Sequence, residues 1–191
     1  MKRSVIILLL GLITAGCSEE NEQLVESTGF IEVTAGDSRL SMRNRTLYYD
    51  GLLFTGKHTE KINGAVTSVS EYRNGKLDGY QITYYSGGMT KEERYYKNGL
   101  KTGEHKGWWE SGRQKFVYNY SNDEFNGNIK VWNESGMLFN DFNYVNGKEE
   151  GMQKAWSADG EIQANYFVKE NRKYGITGVK DCKTELPKIN Q

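Results

Sequence analysis

Two histidines, two cysteines and a few paired acids are the groups in this 191-residue chain that could do chemistry. His58 lies two residues from Glu60 and His105 adjoins Glu104, but the histidines are 47 positions apart. No third ligand and no HExxH spacing accompanies them, so a metal cage is not expected, and both read as exposed strand histidines. Glu92-Glu93 and Glu149-Glu150 are sequence neighbours, which a strand sends to opposite faces, so they read as solvated charges rather than an acid–base dyad. There is no Gly-x-Ser-x-Gly elbow, P-loop or dinucleotide fingerprint, and Gly87-Gly88 belongs to a turn. No catalytic residue, no metal and no cofactor is expected.

What does recur is a cation next to an indole. Lys106, Lys130 and Lys154 are spaced by 24, and each stands two residues before Trp108, Trp132 or Trp156, with Trp109 doubling the first. Residues two apart share a strand face. Lysine stems covering the rings, or cation–π contacts, would make these rows structural. A groove lined by lysine and tryptophan would make the same seven residues a binding surface.

The elements that carry them are set by a 24-residue repeat. Gly79, Gly103, Gly127, Gly151 and Gly175 form one column, preceded by Gly56 at 23, and Gly88, Gly112, Gly136 and Gly160 form a second. Tyr84, Trp108, Trp132 and Trp156 form a third. Tyr48, Tyr72, Tyr96, Tyr120 and Tyr144 form a fourth, which ends at Val168. Three residues after each of these come Gly51, Gly75, Gly99, Asp123, Gly147 and Asn171. Each unit reads as two strands and two turns. Asn74-Gly75, Asn98-Gly99 and Asn146-Gly147 suit the positive φ of type I′ hairpins, and Asp50-Gly51 and Asp159-Gly160 are expected to serve in the same way. No apolar period of 3.6 persists, so no long helix is expected.

Composition agrees. Lys+Arg 25 balance Asp+Glu 25, which disfavours a nucleic-acid binder working by phosphate neutralisation. A mean hydropathy of -0.74 excludes a polytopic membrane protein. Thirteen Tyr, four Trp and seven Phe are far too many aromatics for a disordered chain.

The N-terminus is an address. Met1-Lys2-Arg3 followed by the apolar run from Val5 to Ile13 has the build of a secretory signal, too short to span a bilayer. Thr14-Ala15-Gly16-Cys17 resembles the lipobox of bacterial lipoproteins, which implies cleavage before Cys17 and lipidation of that residue. Thr14 replaces the usual Leu. Three acyl chains, at about 0.8 kcal/mol per buried CH₂, would tie the protein to a membrane. Ser18 is not the Asp that signals inner-membrane retention, and the acidic run after it resembles a surface-export signal of some lipoproteins. Outer-membrane attachment is therefore expected, on the periplasmic or the surface side. With Cys17 lipidated, Cys182 has no thiol partner within the chain.

Tyr84 to Met89 (Tyr-Tyr-Ser-Gly-Gly-Met) and Tyr96 to Gly103 (Tyr-x-x-Gly-x-x-x-Gly) resemble the bacterial variant of the MORN repeat. Proteins built this way are commonly assigned to the YwqK-like antitoxin family, and the resemblance covers residues 47–175. It implies an all-β fold: an elongated, single-layer antiparallel β-meander that grows by one hairpin per repeat, here roughly ten to twelve short strands. The expected organisation is a signal peptide at 1–16, an acidic tether at 17–26 and a capping hairpin at 27–46 that covers the first edge strand. The repeat domain at 47–175 and a loose tail at 176–191 follow. The function expected is an envelope-anchored, non-enzymatic interaction module, antitoxin- or immunity-like, with a toxin or envelope protein as partner. The alternative is a structural or carbohydrate-binding surface lipoprotein whose aromatic rows stack on sugars.

Overall fold

A computed structural model describes residues 28–176; Cys17, the tether and Cys182 lie outside them. All regular structure among the described residues is strand. In chain order the strands are β1 (Ile31–Thr34), β2 (Leu40–Arg43), β3 (Thr46–Tyr49), β4 (Leu52–Leu53), β5 (Gly56–Ile62) and β6 (Ala65–Arg73). Then come β7 (Lys76–Tyr84), β8 (Thr90–Lys97), β9 (Leu100–Lys101), β10 (Gly103–Trp108), β11 (Gln114–Ser121) and β12 (Glu124–Phe125). The series closes with β13 (Gly127–Trp132), β14 (Leu138–Val145), β15 (Lys148–Glu149), β16 (Gly151–Trp156), β17 (Ile162–Lys169) and β18 (Arg172–Ile176).

The main sheet runs β1-β5-β6-β7-β8-β10-β11-β13-β14-β16-β17-β18, and the two-residue strands β9, β12 and β15 pair with β8, β11 and β14. From β5 onward it is the expected antiparallel meander. Two kinds of turn alternate along it. At one rim Asn74-Gly75, Asn98-Gly99 and Asn146-Gly147 take positive φ at both positions, and Asn122-Asp123 and Glu170-Asn171 do the same without glycine. The matching twist of these type I′ turns lets each strand return beside its predecessor. Successive turns are also stitched together, because the amides of Gly99, Asp123 and Gly147 donate to the carbonyls of Leu77, Lys101 and Phe125 at 2.7, 3.0 and 2.9 Å.

Asp50-Gly51 belongs to the same class, but Asp159-Gly160 does not, contrary to expectation: only Gly160 has positive φ there. Its loop instead matches those at 85–89, 109–113 and 133–137. The Ser157 amide donates to the Glu161 carbonyl at 2.9 Å, and the Gly160 amide donates back to the Ser157 carbonyl at 3.0 Å. This is a three-residue loop in which the glycine follows a type I turn, so Asp159 itself needs no left-handed backbone.

The first edge is built differently from the expected hairpin. β1 alone covers β5, and it runs parallel to it. Beyond Thr34 come two tight turns, in which the Asp37 amide donates to the Thr34 carbonyl and the Leu40 amide to the Asp37 carbonyl, while the Asp37 carboxylate holds both the amide and the guanidinium of Arg39. The chain is carried away into β2 and β3, which form a separate three-stranded sheet with β4. Val33, Leu47 and Phe54 bury themselves between this small sheet and the first strands of the large one. The edge strand is thereby covered, as an open meander requires.

A single sheet has two faces, and here they differ. Ser68, Ser70, Tyr96, His105, Phe116, Ile129, Gln153, Ala164, Tyr166 and Val168 are buried, and the registers put all of them on one face. Tyr72, Tyr96, Tyr120 and Tyr144 of the tyrosine column lie there too, whereas Tyr48 belongs to the small sheet. Neighbours among the four are about 10 Å apart on alternate strands, so other rings must bridge them. His105 lies 5.6 Å from Tyr96 and 4.7 Å from Tyr120, and Phe125 lies 4.8 Å from Tyr120 and 5.3 Å from Tyr144. Tyr118 adds contacts to Phe116 and Phe125. His105 and Phe125 thus fill the spaces between the column tyrosines, with Tyr118 packed beside them. The result is a ladder of rings along the sheet.

Candidate binding surface

The lysine and tryptophan rows stand on the face opposite this ladder. Pairings across the sheet run Glu93–Lys106, Lys106–Val117, Val117–Lys130, Lys130–Asp141, Asp141–Lys154 and Lys154–Asn165, one unbroken row over seven strands. Trp108, Trp132 and Trp156 end β10, β13 and β16, each at a point where the register shifts by one residue. The extra residue sits in the partner strand (Lys115 opposite β10), so each tryptophan keeps the face of the lysine two residues before it.

Among the described residues no ammonium of this row sits over the ring of Trp108, Trp132 or Trp156. Lys106 Nζ lies 2.7 Å from Glu104, and Lys130 Nζ lies 3.7 Å from Asp141. Lys154 is exposed. Such half-exposed pairs contribute about 0–1 kcal/mol each, so they space the row rather than hold the sheet. The Glu104 carboxylate also raises the Lys106 pKa, by a side-chain hydrogen bond first and by its charge second.

Trp108, Trp132 and Trp156 are half-buried, and among the described residues none has an aromatic neighbour in ring contact. Trp109 is different. It starts the 109–113 loop, its indole N–H donates to the Trp132 carbonyl at 3.2 Å, and Lys115 Nζ sits 4.4 Å from its ring centre. One unit earlier the Tyr85 hydroxyl donates to the Trp108 carbonyl at 2.8 Å. These two contacts, 24 residues apart, tie neighbouring loops and present the indoles at fixed spacing.

The histidines do not behave as exposed strand residues. His105 is 2% exposed, and its Nε2–H donates to the Tyr95 carbonyl at 2.8 Å. Burial pushes its pKa down, helped by the charges of Arg94 and Lys101, while the Tyr95 carbonyl opposes the shift. It is a rung of the ladder. His58 is half-buried and stands edge-on to Tyr72 at 6.4 Å. Glu92 and Glu93 separate as expected of strand neighbours: Glu92 pairs with Arg94 at 2.6 Å on the ladder face, while Glu93 faces the lysine row. Glu149 binds Lys173 at 2.7 Å and accepts from the Tyr166 hydroxyl at 3.0 Å. Among the described residues no three His, Cys, Asp or Glu side chains gather as metal ligands. The signal for the role of His105 was its column: its equivalents Ile129 and Gln153 are buried as well. No family model matches the sequence, and no curated protein matches it.

Proposed function

We propose that the chain is a lipid-anchored, non-catalytic β-repeat protein that acts by occupying a protein partner at the envelope. The observation that carries this reading is the second face of the sheet. Half-buried indoles without ring neighbours recur at the ends of β10, β13 and β16, beside a row of alternating lysines and acids. Interfaces favour aromatic anchors ringed by polar groups, and a sheet that buries its other face on itself keeps this one for contact. The resemblance to the YwqK-like antitoxin family supports a toxin as the partner, and the Ala15-Gly16-Cys17 sequence supports an encounter at a membrane, the outer membrane being favoured.

The test is cross-linked capture from envelope fractions, compared between the wild type and Trp108→Ala, Trp132→Ala and Trp156→Ala. A partner held stoichiometrically and lost by about 2 kcal/mol or more in at least one variant supports the reading. Deletion of the gene should sensitise cells to a toxin encoded nearby or delivered by kin. Protection at strongly sub-stoichiometric amounts would mean turnover and refute it. Binding of oligosaccharide rather than protein, lost in the same variants, would favour a surface lectin whose aromatic rows stack on sugars.

A further inference from the structure

Among Tyr72, Tyr96, Tyr120 and Tyr144 the ring ladder is broken once. Between consecutive tyrosines of the column the repeat offers two filling positions, five and nine residues on. Between Tyr96 and Tyr120 the second holds His105, and between Tyr120 and Tyr144 the first holds Phe125. Between Tyr72 and Tyr96 the same positions are Leu77 and Gln81. Neither is aromatic. Tyr72 has ring contacts to Phe54 and His58, Tyr96 has one to His105, and among the described residues none joins the two tyrosines.

A cavity of about 520 Å³ lies at this gap, between the β2–β3 turn of the small sheet and the type I′ rim of the large one. Tyr72, Leu77 and Tyr96 line it on the ladder side, and Arg45, Lys76 and Lys101 stand around it. Its volume is that of a small-molecule site. Its charge is one-sided. Among the described residues none of the three cations has a carboxylate within ion-pair distance. Lys101 Nζ rests 5.2 Å from the centre of the Tyr120 ring. The one acid in the lining, Asp123, accepts from the Lys101 backbone amide at 2.7 Å. Rings ask for a flat apolar body, and unneutralised cations ask for an anion.

We infer that this cavity is a binding site for a small aromatic carboxylate. The ring of the ligand takes the place of the missing rung between Tyr72 and Tyr96, and its carboxylate meets Arg45, Lys76 and Lys101. The site lies on the ladder side, away from the lysine and tryptophan row, so it stands or falls independently of the proposed partner surface.

The experiment is calorimetric titration of the purified full-length protein with 4-phenylbutyrate, 4-phenylbutanol and 4-phenylbutylamine, which share a body and differ in charge. The carboxylate should bind one to one, about tenfold or more tighter than the alcohol, with no saturable binding of the amine. Lys76→Gln and Lys101→Gln should each weaken the carboxylate several-fold and leave the alcohol unchanged. Leu77→Phe, which puts a ring into the lining itself, should abolish binding while the protein still unfolds cooperatively. Equal affinity for all three ligands, absence of saturable carboxylate binding up to about 1 mM, or full binding in the Lys→Gln variants would overturn the inference.

Discussion

His105 offers the sharpest test of how the sheet is held together. Its ring is almost wholly enclosed, flanked by Tyr96 at 5.6 Å and Tyr120 at 4.7 Å, and its Nε2–H satisfies the Tyr95 carbonyl. Truncation to alanine removes two ring contacts at roughly 0.5–1.5 kcal/mol each and one hydrogen bond at about 1 kcal/mol, and leaves a hole. The sum is about 3 kcal/mol. The titration of the ring makes a second, independent prediction. Its folded pKa lies below the ordinary value of 6.5, chiefly through burial, so the unfolded chain binds this proton more readily. Its contribution is therefore fully present above pH 6.5 and is lost as pH falls from there towards the folded pKa. One proton sets the limit at about 1.4 kcal/mol per pH unit. Urea unfolding followed by tryptophan fluorescence at several pH values from about 7.5 to 5.5, above the range where carboxylates titrate, reads both effects. His105→Phe, which keeps a ring but carries no proton, should flatten this dependence. A cost below about 1 kcal/mol for His105→Ala, or an unchanged pH slope in His105→Phe, would refute the account of the ladder.

The other expectations are simpler. Gly56 has φ +148, and a Cβ there would overlap the Ile31 carbonyl, so Gly56→Ala should detach β1 and expose the β5 edge; size-exclusion chromatography should then show self-association. A Cβ on Gly107 would overlap the Phe116 ring, and Gly107→Ala should cost about 1–3 kcal/mol by urea unfolding. Glu170 is the non-Asx residue at the first position of a type I′ turn, with φ +52, so Glu170→Asn should stabilise by about 0.5–1 kcal/mol in the same assay. Trp132→Ala should cost only about 1–2 kcal/mol of stability, since its half-buried ring has no stacking partner. Cys17→Ser should abolish palmitate labelling and release the protein from membranes; membrane retention after a salt wash would contradict lipidation.

Local rules made much of this fold legible. The columns located the turns because a two-residue hairpin demands left-handed backbone, and only Gly, Asn and Asp adopt it cheaply. That rule placed Asp123 and Asn171 correctly, with φ +69 and +60. It misplaced Asp159-Gly160 because a dipeptide does not specify loop length: Ser157 two residues earlier, hydrogen-bonded to Glu161, sets a longer loop. The parallel β1 was invisible because its cause is tertiary, in the burial of Val33 with Leu47 and Phe54. Shared face was readable for Lys106 and Trp108, but not where the ammonium would go. Glu104 lies on the same face two residues away and was a better partner than the indole.

The repeat also explains why the two faces carry different work. Beyond the first strands no second layer covers the sheet among the described residues, so burial must come from neighbours on the same face. Columns joined through intervening rings, such as the tyrosines, then become structural, and the chain pays for order through them. Position 105 shows how tight this is, since its column equivalents Ile129 and Gln153 are buried although their chemistries differ. The opposite column cannot stack in the same way, because Trp108, Trp132 and Trp156 sit where the register shifts and the strands end. Those rings stay half-buried, so a substitution there alters the surface more than the fold. A sheet organised in this way can diversify one face for recognition while the other holds the repeat in register. The one break in the ladder, between Tyr72 and Tyr96, is the place where the structural face itself has room for a ligand.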